Sequence, residues 1–226
     1  MIRVLPEELK KTATNLYARV ATHFPTSGLS RTCYNLLGIA NEIDKTILWI
    51  KRPNYFIRVF SWILIGLLVV SVVRTCTYLN ISTTGINIAE TFQMIDAAFN
   101  SVVLLAAAGI FLMTFEIRRK RKRVINAVNH LRCIAHLVNS HQLTKDPRTV
   151  AEKVDSKVLS DYELARYLDF CSEMLSLSSI LAFLYVQDFD DPVANEAVNN
   201  LEGLSTGLSQ KIWQKIAMIK NTETKE

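Results

Sequence analysis

The chain has 226 residues, half of them hydrophobic, and a formal net charge of +5. A soluble domain carries such apolar content as dispersed periodic stripes. Here part of it is concentrated, and the mean hydropathy is +0.18. Four cysteines, Cys33, Cys76, Cys133 and Cys171, are scattered without a C-x-x-C pair. That argues against a zinc ribbon, a redox motif or a disulfide framework, and suits small packed side chains in a reducing compartment.

The first elements read as two amphipathic helices. Leu9, Ala13, Leu16, Val20 and Phe24 recur at helical spacing, and Pro6 suits a first turn. The PTSG stretch, Pro25 to Gly28, predicts a break. Leu29, Cys33, Leu36, Ala40, Ile43, Ile47 and Ile50 then step alternately by four and three. That is a narrow heptad seam suited to packing on another helix. Pro53 ends it.

Two apolar stretches follow. Tyr55 to Leu79 carries Arg58 and Arg74 as its charged residues, leaving Val59 to Val73 as an uninterrupted apolar centre. Both arginines lie near the ends, where their long side chains can reach headgroups. Ala97 to Phe115, AAFNSVVLLAAAGIFLMTF, runs nineteen residues without a charge. A bilayer core needs about 20 apolar residues in helix, and both stretches are predicted to span one. Neither reads as a signal peptide, since the first begins well inside the chain. Between them, LNISTTGINIAETFQMID predicts a short loop over 80–96. Asn100, Ser101 and Thr114 are the polar residues of the second span, and Asn100 is its sole amide. No ionisable residue lies at mid-depth, where a proton relay or coupled transporter keeps one. Gly66 in the first span, and Ala106 to Gly109 in the second, offer small surfaces for close helix contact and oligomerisation.

Next comes FEIRRKRKRVIN. Its six consecutive basic residues, Arg118, Arg119, Lys120, Arg121, Lys122 and Arg123, account for much of the net charge. Such a run alone suits nucleic acid, a nuclear address or a membrane edge. Position decides: Lys51, Arg52 and Arg58 precede or open the first span, the run follows the second, and no Lys or Arg lies between Arg74 and Arg118. The positive-inside rule then puts both termini in the cytosol and the loop outside. The run becomes a membrane-surface anchor, with about 1 kcal/mol per basic residue near anionic headgroups. No direct nucleic-acid binding is expected.

Helical spacing resumes at once with Val124, Val128, Leu131, Ala135 and Val138, predicting a stalk that stops before Pro147. DPRTVAEKVDSKVL, within 145–159, reads as a loop. Ser160 and Glu163 predict a capping box, opening a helix with Leu164, Leu168, Cys171, Leu175 and Leu181 on its apolar face. After QDFDDP, Asp191 suits an N-cap and Pro192 a first helical position. Ala194, Val198, Leu201, Leu204, Leu208, Ile212, Ile216 and Ile219 mark a last helix, forming a hairpin with the one before. Gly203 and Gly207 each weaken it by about 1 kcal/mol against alanine; they mark a close backbone approach or are merely tolerated.

No chemistry stands out. His130, His136 and His141 lie at gaps of six and five, whereas a ligand pair on a helix needs three or four. Asp188, Asp190 and Asp191 suit a turn and cap better than a cation site, with no twelve-residue calcium loop present. No nucleophile elbow or Gly-rich phosphate loop occurs. The sequence predicts no enzyme, no cofactor and no metal.

Three stretches carry a resemblance: LRCIAHLVNSHQLTKDP (Leu131 to Pro147), YLDFCSEMLSLSS (Tyr167 to Ser179) and SQKIWQKI (Ser209 to Ile216). Together with the two-span layout, they resemble small bacterial membrane proteins of anti-phage defence, in particular the transmembrane effector of a retron. The resemblance covers about the C-terminal 90 residues and brings no catalytic residue. It implies abortive infection: an effector restrained by a reverse transcriptase with its RNA–DNA product, which on activation disrupts the inner membrane.

The expected fold is thus an all-α membrane protein. Two transmembrane helices form a hairpin over 54–117, flanked by cytosolic amphipathic helices in an arm over 1–53 and a stalk with helical hairpin over 118–226. The expected partners are the lipid bilayer, the reverse transcriptase complex and further copies of the chain. A non-toxic membrane-tethered scaffold or adaptor is the alternative, because the same helical seams would serve it.

Overall fold

The computed structural model describes residues 3–52, 55–81, 88–143 and 159–223, and among them the secondary structure is wholly helical. Six helices follow in chain order: α1 Pro6–His23, α2 Gly28–Lys51, α3 Tyr55–Ile81, α4 Ile88–Leu143, α5 Asp161–Val186 and α6 Pro192–Glu223. They divide into two units, Met1–Lys51 with Arg121–Glu226, and Arg52–Lys120. α4 contributes to both.

The first unit is built from local signals. Pro6 opens α1 without losing a needed amide, and Glu7 and Glu8 face the positive end of its dipole. Leu9, Ala13, Leu16 and Val20 are buried. After the PTSG break, Ser27 caps α2, its Oγ accepting from the Ser30 amide at 3.1 Å. The seam residues Leu29, Cys33, Leu36, Ala40, Ile43 and Ile50 are buried, and Ile47 packs against them. α1 lies against α2, with a Lys10–Asp44 ion pair and Tyr17 beside Tyr34. Both pack on α5, where Arg19 pairs with Glu173 and Phe24 meets the Tyr167 ring at 5.3 Å.

α5 starts with the capping box: the Glu163 amide donates to Ser160 Oγ at 3.2 Å, and the Ser160 amide donates to Glu163 Oε2 at 2.9 Å. It buries more than one face. Tyr167, Phe170, Met174, Leu177, Ala182, Leu184 and Tyr185 are covered in addition to the expected leucines and Cys171. α5 is therefore the helix against which α1, α2 and α6 all pack. α6 packs along it and buries Ala194, Val198, Leu201, Leu208, Ile212, Ile216 and Ile219. From α4, Val124, Val128, Leu131, Ala135 and Val138 are fully covered in the same core. Lys215 of α6 ties down the end of α4 by donating to the Gln142 carbonyl at 3.1 Å.

Gly28 is a point of close approach. A Cβ there would stand 2.4 Å from His141 Cε1, so the His141 ring can hold its place on the start of α2 only while residue 28 lacks a side chain. Thr32 Oγ1 donates to the Gly28 carbonyl at 2.9 Å and lies 3.1 Å from His141 Nε2. Its single proton is used, so Nε2 donates to it. Burial pushes the His141 pKa down, which favours the neutral ring.

One expectation changes and one open alternative is narrowed. Of the loop expected over 80–96, Asn80 and Ile81 belong to α3 and the part from Ile88 to α4, while 82–87 lie outside the described residues. Ala89, Glu90, Gln93 and Met94 are good helix formers, and polar composition alone had suggested a loop. Gly203 and Gly207 are not close approaches within the chain, since a Cβ at either would meet nothing within 4 Å among the described residues. The loop expected over 145–159 lies, apart from Leu159, outside the described residues.

Candidate functional site

Among the described residues, two helices are long and apolar enough to cross a membrane by length and composition: α4 from Ile95 onward, and α5. Burial separates them. Of the most apolar window, 56% is inside for α5 and 0% for α4. α5 is explained as a core helix, whereas no residue of α4's most apolar window is buried among the described residues. α3 contributes the shorter apolar segment Trp62–Ser71 among the described residues. There too, Trp62, Ile63, Leu67 and Val70 are exposed.

Among the described residues of the Arg52–Lys120 unit, the hydroxyls of Thr77, Ser101 and Thr114 are satisfied by their own helix. Ser101 Oγ donates to the Ala97 carbonyl at 2.8 Å, Thr114 Oγ1 to Ile110 at 2.7 Å, and Thr77 Oγ1 to Val73 at 3.1 Å. Backbone-bonded hydroxyls lose little on leaving water. The Asn100 amide reaches Asp96 Oδ2 at 3.5 Å, one turn toward the start of α4. Gly66 and Gly109 have open space where a Cβ would stand, with nothing within 4 Å among the described residues. Ala106 is exposed. Among the described residues, Gly66 and Gly109 therefore show no close packing partner within the chain.

The six basic residues do not form one group. Arg118, Arg119 and Lys122 are exposed. Lys120 pairs with Glu116 at 2.9 Å, one turn away. Arg123 lays its guanidinium over the Trp49 ring of α2 at 4.4 Å from the centroid. Arg121 is bonded to Asp191: Nε donates to both carboxylate oxygens at 2.9 Å and Nη2 to Oδ2 at 2.7 Å. Asp191 is 3% exposed and also caps α6, accepting from the Ala194 amide at 3.0 Å. Burial pushes its carboxyl up, but the Arg121 guanidinium and the Ala194 and Val193 amides outweigh this and hold it below the usual range. Three residues earlier, Asp188 meets Lys51 Nζ at 2.8 Å and Arg3 Nη2 at 3.0 Å. Its pKa is also lowered, first by the Lys51 hydrogen bond. Carboxylates with lowered native pKa values stabilise the fold above their unfolded pKa near 4, and that contribution is lost as the pH falls further.

The sequence identified Asp191 as a cap, and it is one. It did not pair Asp191 with Arg121, because any of six neighbouring cations could have served. Other clusters are chemically quiet. Among the described residues, no three His, Cys, Asp or Glu side chains are placed to share a metal. Cys33 and Cys171 are buried free thiols whose pKa values burial pushes up to about 12, and Cys133 is exposed. A cleft of about 660 Å³ at the α1–α2 turn, lined by Tyr17, Ser27, Arg31 and Tyr34 among others, holds no carboxylate, histidine or thiol. Comparison with protein families, with curated proteins and with solved structures gave no match to this chain.

Proposed function

We propose that the chain is the membrane effector of a bacterial antiviral, abortive-infection system of the retron kind, and that it disrupts the inner membrane when activated. The observation that carries the membrane part is α4's stretch from Ala97 to Phe115. It is nineteen residues without a charge, and none of its most apolar window is buried among the described residues. At 1.5 Å per residue such a helix is about 28 Å long, against a hydrocarbon core of about 30 Å. Leu104, Phe111 and Phe99 remain at least 66% exposed in the single chain. A helix apolar on every side needs a solvent other than water. α3 is read as the second span of a hairpin, with Arg58 and Arg74 at the two interfaces. Both termini then face the cytosol, where Arg118, Arg119 and Lys122 meet anionic headgroups.

The effector part is supported by the resemblance of the Leu131–Pro147, Tyr167–Ser179 and Ser209–Ile216 stretches. In this reading a reverse transcriptase with its RNA–DNA product restrains the chain, and activated copies associate through their spans.

Expression without the restraining partner is expected to depolarise the cell and stop growth. Gly109→Leu is expected to reduce killing without lowering the inserted amount. Leucine is at least as apolar, and residue 109 has open space within the chain, so a loss reports contact between copies. Normal growth and membrane potential on unrestrained expression, even during phage infection, would set the effector reading aside in favour of the scaffold.

A further inference from the structure

We infer that the turn between α5 and α6 is a latch: its two carboxylates hold both points where the chain leaves and re-enters the first unit, keeping the spans in their silent arrangement. The inference rests on the effector reading and names its regulation.

Lys51 is the last residue of the first unit before the Arg52–Lys120 segment, and Arg121 is the first residue after it. Both are held by one short turn. Asp188 takes Lys51, and Asp191 takes Arg121 through both carboxylate oxygens. The turn is itself ordered, with the Gln187, Phe189 and Asp191 amides bonded to the carbonyls of Phe183, Val186 and Phe189. A third tie closes the ring: Arg123, two residues past Arg121, covers Trp49, two residues before Lys51. α2, the turn and α4 are thus joined pairwise in one collar.

Such a collar constrains two things. It sets the separation of the residues that lead into α3 and out of α4. It also sets the rotation of α4 about its axis, because a bidentate Arg–carboxylate pair fixes the direction of the guanidinium fork. α4 is one helix through Lys120 and Arg121, so the chain that Arg121 holds continues without a break into the apolar stretch. The pairs are strong enough to hold and local enough to release. Loss of Asp191's charge strips Arg121 of its partner, yet an asparagine keeps the cap on α6.

The test uses the full chain in vesicles of phosphatidylethanolamine and phosphatidylglycerol. Dye leakage is one readout, and the distance between spin labels at Leu48 and Asn126, both exposed, is the other. Cys76→Ser and Cys133→Ser remove unwanted labelling sites. Asp188→Asn with Asp191→Asn is expected to broaden a narrow distance distribution. It should raise leakage about tenfold, as a shift of ~1.4 kcal/mol in a two-state equilibrium does. Lys51→Glu alone should leak in the same sense. Adding Asp188→Lys should return leakage toward wild type by restoring the pair in reverse; Arg3 is 58% exposed and free to turn to water. Unchanged distances, wild-type leakage in the opened variants, or a reversed pair as leaky as Lys51→Glu would each overturn the latch while leaving the effector reading intact. If wild type and every variant fail to leak, the effector reading falls and the latch with it.

Discussion

Gly28 and His141 show how one missing side chain joins distant parts of the chain. The start of α2 admits the imidazole because residue 28 has no Cβ, and Thr32 accepts the ring's Nε2 proton. Gly28→Ala places a methyl 2.4 Å from the ring, and overpacking of this sort costs about 1–3 kcal/mol. The expected result is a lower midpoint of chemical unfolding, followed by circular dichroism in detergent. Gly28→Ala with His141→Ala should recover most of the loss, because the second change removes the clashing atoms. Additive losses in the double variant would show that the contact is not the cause. None of this was legible beforehand. PTSG announced a break, but the partner of Gly28 lies on another helix, and spacing within a segment carries no information about it.

At the scale of the element, helix starts were the most readable feature. The Ser160–Glu163 box, Asp191 before Pro192, and Pro6 with two glutamates use side chains within a turn of the groups they satisfy. The same locality explains the buried seam of α2. Ambiguity remained where a residue's role depends on what faces it, as at Gly203 and Gly207 of α6. Both have open space where a Cβ would stand, so their helix penalty is not compensated by packing within the chain. Gly203→Ala and Gly207→Ala are each expected to stabilise the protein by up to about 1 kcal/mol. A rise in thermal midpoint would register it. A fall for either variant would mean that the glycine meets another copy of the chain or a partner helix in the sample.

For the whole molecule, the division of the basic run has a consequence for topology. Lys120, Arg121 and Arg123 are engaged with Glu116, Asp191 and Trp49, whereas Arg118, Arg119 and Lys122 are exposed. Changing the exposed three to glutamine removes about 1 kcal/mol of headgroup attraction apiece and leaves the collar contacts in place. The expected outcome is a mixed orientation of alkaline-phosphatase fusions at the C-terminus with the helical unit still folded. A uniformly oriented, fully inserted variant that has lost a specific RNA complex would instead point to nucleic acid as the run's target. Composition and periodicity sufficed for the all-helical character, for the apolar positions of each helix and for the uncharged stretch from Ala97 to Phe115. These depend on residues a few places apart, whose geometry in a helix is constant. Folding in three dimensions separated α4 from α5: both are long and apolar, but α5 is covered by α1, α2 and α6, whereas no residue of α4's most apolar window is buried among the described residues. It also selected Arg121 from its five basic neighbours as the partner of Asp191, seventy residues away. A charge attracts any opposite charge within reach, so the choice belongs to the packing that brings one of them there and keeps water out.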